Sequence, residues 1–217
     1  MNFADIRQTL IRDFMRSAAA GRVPPLETYF QDFVRTDAPL TPGDFRLRPL
    51  TPPCLRMLYT SSNCLTDCML ELQARYRQLV PSAWGGYMQK GWRDLGVIGF
   101  NFLDGPELEI VEINPADGFV DWAQPKLQAL AWEQLLIHAV LDFSQACQTR
   151  RVLLQPAKNY PLGSQAAREP TRLTAVKEVL ARRYDGSARA MGFVWDETRD
   201  RFVWKPTANQ AVSAPGG

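Results

Sequence analysis

Two carboxylates three residues apart, Glu109 and Glu112, are the groups in this chain best suited to moving a proton. They lie in Glu-Leu-Glu-Ile-Val-Glu-Ile-Asn-Pro, a strand-like run whose alternation slips, with Leu108 and Ile110 on one face and Val111 and Ile113 on the other. A β-bulge accounts for that slip. A carboxylate part-buried beside it can hold its proton more tightly and serve as a general base; the competing reading is a solvated strand face.

Other reactive side chains are few. His138 is the one histidine and sits inside an apolar helix, where a hydrogen-bonded core role is the simpler account. Cys54, Cys64, Cys68 and Cys147 contain no C-x-x-C pair, so no metal site is expected and the thiols read as buried. The segment around Trp84, Gly85-Gly86, Tyr87, Gly91 and Trp92, with Phe100 and Phe102, could line an acceptor pocket or a partner surface. Core packing is the plainer account of so many rings.

The elements that must position these groups follow from periodicity. Residues 2–20 read as a helix with Phe3, Ile6, Leu10 and Phe14 at helical spacing, and a short helix is expected over 26–34. A strand is expected at 45–50, then helices at 51–60 and 63–79, while 83–95 resists assignment. A hairpin follows, Val97–Phe102 against Glu107–Ile113 around Asp104-Gly105-Pro106. A helix apolar around its circumference is expected over 124–148, then a strand at 151–155, a helix at 171–184 and a closing hairpin at 192–204.

Composition bounds what such a chain can be. With 217 residues, 46% of them hydrophobic and 22% charged, it can bury one sizeable core. Net charge is +2, and the basic residues are dispersed as short pairs among acids, so no strong signal for nucleic acid is visible. No window reaches the roughly 20 apolar residues of a membrane span and no signal core follows the start, so no membrane partner and a cytoplasmic location are expected.

The order strand, helix, helix, hairpin, long helix, strand, helix, hairpin resembles the GNAT acetyltransferase superfamily over roughly residues 43–206. Three stretches carry the likeness: Phe45-Arg-Leu-Arg-Pro-Leu-Thr, Glu112-Ile-Asn-Pro115 and Ala188-Arg-Ala-Met-Gly-Phe193. The resemblance implies a mixed, mostly antiparallel α/β (α+β) sheet flanked by helices. Residues 1–42 would form an N-terminal helical appendage and 207–217 a loose tail. It further implies an acyl-CoA site where the bulged strand parts from the next. Main-chain groups of Ile113, Asn114, Asp117 and Gly118 would line it, with Asn159 after the following strand; a turn-forming Asn is the simpler account of Asn159.

Against that pattern, the turn Pro115-Ala-Asp-Gly-Phe-Val-Asp carries one glycine and two carboxylates, Asp117 and Asp121, where a diphosphate would sit. Like charges about 5 Å apart at an effective dielectric near 20 cost on the order of 3 kcal/mol, or about two decades of affinity. The family's general-acid tyrosine is replaced by Ala188, and Tyr184 could substitute only if the helix end is reshaped; otherwise its ring simply packs there. The expectation is a domain without a cofactor, with a degenerate acyl-CoA site, that binds a protein partner. The alternative is a diverged N-acyltransferase using acetyl-CoA or another acyl-CoA, with Glu109 or Glu112 accepting the proton of an attacking amine.

Overall fold

The computed structural model describes residues 3–19, 26–35, 40–50, 54–55, 65–80, 87–104, 106–115, 129–160 and 170–206. Its strands are β1 (Phe45–Leu50), β2 (Cys54–Leu55), β3 (Leu65–Thr66), β4 (Cys68–Val80), β5 (Tyr87–Leu103), β6 (Glu107–Pro115), β7 (Arg151–Leu154), β8 (Val194–Asp196) and β9 (Arg201–Trp204). Seven of them form one sheet in the order β1-β4-β5-β6-β7-β9-β8, and β2 pairs with β3 alone. Within that sheet β6–β7 is parallel and the other described pairings are antiparallel. Helices α1 (Phe3–Ala19), α2 (Trp132–Ala146), α3 (Pro170–Ala181) and α4 (Ser187–Ala190) flank it, giving the mixed α/β architecture that the sequence suggests. No helix among the described residues is long and apolar enough to cross a membrane.

Residues 68–80 form a strand, not the helix expected over 63–79. Cys68, Leu70, Leu72 and Ala74 recur every second residue and are all fully buried, while Glu71 and Gln73 between them are buried on the opposite face. The run Leu-Glu-Leu-Gln-Ala-Arg favours helix by intrinsic preference, and pairing with β1 and β5 overrides it. Similarly, Cys54–Leu55 lies in β2 instead of a helix over 51–60, whose other residues fall outside those described. Of the unassigned stretch 83–95, residues 87–95 are the first half of one long strand, β5, and residues 83–86 lie outside those described.

The bulge in β6 is where the alternation places it. Gly99 faces Glu112 and Phe100 faces Ile110, which leaves Val111 as the extra residue. Ile110 and Ile113 therefore share the apolar face, opposite Phe100 and Ile98. That face shares one buried core with Leu135, Leu136, Ala139, Val140 and Phe143 of α2, the Phe100 and Phe143 rings lying 5.9 Å apart.

The N-terminal segment belongs to the same core. Phe14 of α1 meets Phe100 edge-on at 5.3 Å and Phe143 at 4.7 Å. In place of the helix expected over 26–34 there are two 3-10 turns, Leu26–Thr28 and Phe30–Phe33, that bury Leu26, Phe30 and Phe33. The chain then makes an antiparallel bridge, Val34 with Leu130. The Arg35 amide donates to the Ala129 carbonyl at 2.7 Å and the Ala131 amide to the Phe33 carbonyl at 2.8 Å. Those bonds take the backbone groups that a helix running through 130 would need, so the expected helix is broken at Leu130–Ala131 and α2 begins at Trp132; Ala129 is helical, and residues 124–128 lie outside those described.

Candidate functional site

β6 and β7 stay paired only as far as Ile110 with Leu154. Gln155 extends the contact, its amide donating to the Ile110 carbonyl at 3.2 Å and its side-chain amide to the Val111 carbonyl. Beyond this point the chain after β7 turns away into a 3-10 turn, Ala157–Asn159, and among the described residues no strand pairs with β6 on that side through Glu112, Ile113 and Asn114. A strand that loses its neighbour leaves backbone groups to be satisfied otherwise.

One tyrosine does so, and a second holds the Asn114 side chain beside it. The Ile113 amide donates to the Tyr184 hydroxyl at 2.9 Å, and Tyr184 is fully buried. Asn114 bonds the Tyr160 hydroxyl through Nδ2 at 2.9 Å, and the same Nδ2 donates to Glu112 Oε1 at 2.9 Å. The two tyrosine rings lie 5.4 Å apart. Tyr160 is held by the Ala157 carbonyl, which its amide reaches at 3.1 Å, and the Ala157 amide in turn donates to Asp185 at 2.9 Å.

Tyr184 reaches the strand because α3 does not continue as an α-helix. It widens into a π turn over Arg182–Gly186 and resumes as α4, with Ser187 and Ala188 buried. Such a turn inserts a residue into the helix and re-aims the side chains it carries. The helix end is thus reshaped around Tyr184.

The cluster is polar and largely buried. Burial, reinforced by the neighbouring Tyr160, pushes the Tyr184 hydroxyl well above its ordinary pKa, so it stays protonated and can donate as well as accept. Arg183 lies half-buried beside it, its Nη1 3.5 Å from Asn114 Oδ1 and its guanidinium carbon 5.8 Å from the Trp132 ring. Its Nε is buried without a hydrogen-bond partner among the described residues. Burial lowers the Arg183 pKa, an effect that Glu133 opposes, and burial raises Glu133 in turn. Together these groups form a hydrogen-bonded chain of carboxylate, amide and phenol with one cation at its rim. Such a set can orient an amide or carbonyl, or donate a proton to a leaving group.

Of the residues singled out from sequence, Glu112, Ile113, Asn114 and Tyr184 come together here. Glu109 does not join them, because it faces β9 and takes a 2.6 Å bond from Arg201 Nε. Glu107 beside it is bound by Arg151 at 3.1 Å and Arg199 at 2.9 Å, so this stretch is a cross-strand ion ladder. Asn159 is exposed and donates to Asp200 at 3.2 Å. Asp117, Gly118 and Asp121 lie outside the described residues. His138 is half-buried, its Nε2 3.3 Å from Asp142 and its ring 4.5 Å from that of Tyr29. Sequence reasoning missed Tyr160 and Arg183; Tyr160 adjoins Asn159, and its place in Asn-Tyr-Pro after a buried strand is the signal that could have found it. Among the described residues no group of three or more His, Cys, Asp or Glu is placed to hold a metal ion.

Compared with protein-family models, curated proteins and solved structures, the chain matches none.

Proposed function

We propose that this chain is a GNAT-like cytoplasmic domain whose acyl-CoA position is filled by its own side chains, and that it works without catalysis as an interaction or regulatory module for a protein partner. The bond from the Ile113 amide to the Tyr184 hydroxyl carries this reading. In the superfamily the bulged strand offers its main chain to the thioester where it parts from the next strand, and here that amide is already spent on a fully buried phenol. A ligand would have to displace the phenol and leave a buried hydroxyl unpaired, at about 1–3 kcal/mol.

The partner surface in this reading is the sheet edge, not the N-terminal helices. Ile11, Phe14, Phe30 and Phe33 turn into the chain's own core, whereas Val194 and Trp195 on the edge strand β8 are 70% and 37% exposed. Calorimetry with CoA and acetyl-CoA at up to millimolar concentration tests the proposal. No binding is expected, and a low-micromolar dissociation constant would overturn it.

One observation favours a second reading, a diverged N-acyltransferase. The π turn carries Tyr184 to the bulged strand, where in this reading it would take the part of the family's general acid, with Glu112 two residues along the strand from Asn114. The acyl carbon would leave the CoA sulfur for an amine nitrogen, Tyr184 protonating the departing thiolate and Glu112 taking the amine proton. Release of free thiol from acetyl-CoA in the presence of a panel of amines, abolished by Tyr184→Phe, would select it.

A further inference from the structure

β4 and β5 run on together past the rest of the sheet. β1 leaves β4 at Phe45 with Ala74, and β6 leaves β5 at Gly96 with Pro115. Pairing nevertheless continues from Arg75 with Trp92 to Val80 with Tyr87, six pairs in all. At about 3.3 Å per residue, this ribbon extends on the order of 20 Å. Among the described residues no third strand accompanies it.

Its charge is one-sided. From Ala74 to Arg93 the sequence holds Arg75, Arg77, Lys90 and Arg93 and no Asp or Glu, while the whole chain carries only +2. The stretch is therefore +4 and the rest of the molecule −2. The register also sets Arg77 directly opposite Lys90. Like charges at directly opposed positions destabilise an antiparallel pair, and a polyanion relieves that cost.

The root of the ribbon is stiffened by stacking. Trp92 lies under two guanidinium groups, with Arg46 at 4.5 Å and Arg75 at 5.6 Å from its ring. Arg46 is also fixed by Gln73 at 2.7 Å, which donates to Asp94 at 2.5 Å. Arg75 itself is exposed. By the two-residue period of a strand, positions 75, 77 and 90 share a face with Trp92.

We infer that this ribbon is a nucleic-acid-binding arm that meets backbone phosphates through Arg75, Arg77 and Lys90. A two-stranded ribbon fits the major groove of a duplex, and basic residues interleaved with aromatics also suit a single strand. Phosphate recognition is common to both.

Fluorescence anisotropy of the full chain against a labelled 24-bp duplex and a 24-nucleotide single strand, at 50 and 200 mM NaCl, tests the arm. Micromolar binding to at least one is expected at the lower salt. Three phosphate contacts to a duplex weaken it about 40-fold at the higher salt, given a slope near −0.9 per contact. The variant Arg75→Gln/Arg77→Gln/Lys90→Gln is expected to lose at least tenfold in affinity and to flatten the salt slope, with circular dichroism and Tm unchanged. The control Arg12→Gln/Arg16→Gln, altered at exposed positions of α1, should bind as the parent does. Absence of binding to both probes at 50 mM, parental affinity in the ribbon variant, or an equal loss in the control would overturn the arm. Preference for either probe supports it, duplex preference marking groove docking and single-strand preference marking base stacking.

Discussion

The Ile113 amide and the Tyr184 hydroxyl meet at 2.9 Å across a gap that β7 has vacated. One residue of a π turn thus completes the hydrogen bonding of a strand 71 positions earlier. Tyr184→Phe removes that acceptor and leaves the amide buried and unpaired, so a loss of about 1–3 kcal/mol is expected in urea unfolding. A loss below a few tenths would mean that the bond does not hold the strand.

Gly96 is tied to Trp132 by contact and not by backbone freedom. A Cβ built at Gly96 would stand 2.5 Å from two atoms of the Trp132 ring, and that ring is buried. Gly96→Ala should therefore cost about 1–3 kcal/mol through overpacking. Trp132→Leu should reduce the cost of adding the methyl group, which a double-mutant cycle reads as coupling. Additive losses would refute the contact.

Acidity near the cluster has a definite sign. Burial lifts Glu133 above its ordinary 4.5, so the folded protein keeps that proton where the unfolded chain has released it. Stability from this group is complete below pH 4.5 and is lost as pH rises through the folded-state value. Glu133→Gln should gain on the parent between pH 4 and 7 in unfolding free energy. A gain in the other direction would show that Arg183, Arg35 and Arg182 outweigh burial at this site.

Cys147 offers a chemical test of packing at the end of α2. Burial, with Asp13 adding to it, pushes the thiol up to about 12. Against an ordinary cysteine near 8.5, the thiolate fraction at pH 8 falls by about three decades. Alkylation by iodoacetamide, read by mass spectrometry on the Cys147 peptide, should be correspondingly slow in the native state and rapid in urea. Equal rates in both would place the thiol in water.

The bulge is legible in the sequence because one residue too many in an alternating run can be absorbed only by breaking the ladder at that point. Ile110-Val111 shows it directly, and with it the face that carries Ile113. β4 is harder to read, since Glu71 and Gln73 look like the solvent side of a helix until Arg48 and Arg46 are found opposite them across the sheet. Tyr184 is visible as a candidate, but the π turn that aims it is a property of how α3 packs, and no local pattern in Arg-Arg-Tyr-Asp-Gly announces it. Glu109 and Glu112 look equivalent along the chain, and the bulge keeps them on one face; it is their position, before and after β6 parts from β7, that decides that one meets Arg201 and the other Asn114.

The parallel seam between β6 and β7 bears on how the chain folds. β4, β5 and β6 are joined by short returns and can zip up early, whereas β7 must wait until the whole of α2 has been laid down between them, at a higher loop-closure cost. Amide exchange during refolding should accordingly protect Leu70, Ile98 and Phe100 before Leu153 and Val203, with the last three strands added as a late block. Simultaneous protection would mean that the helix and both halves of the sheet condense in a single nucleus.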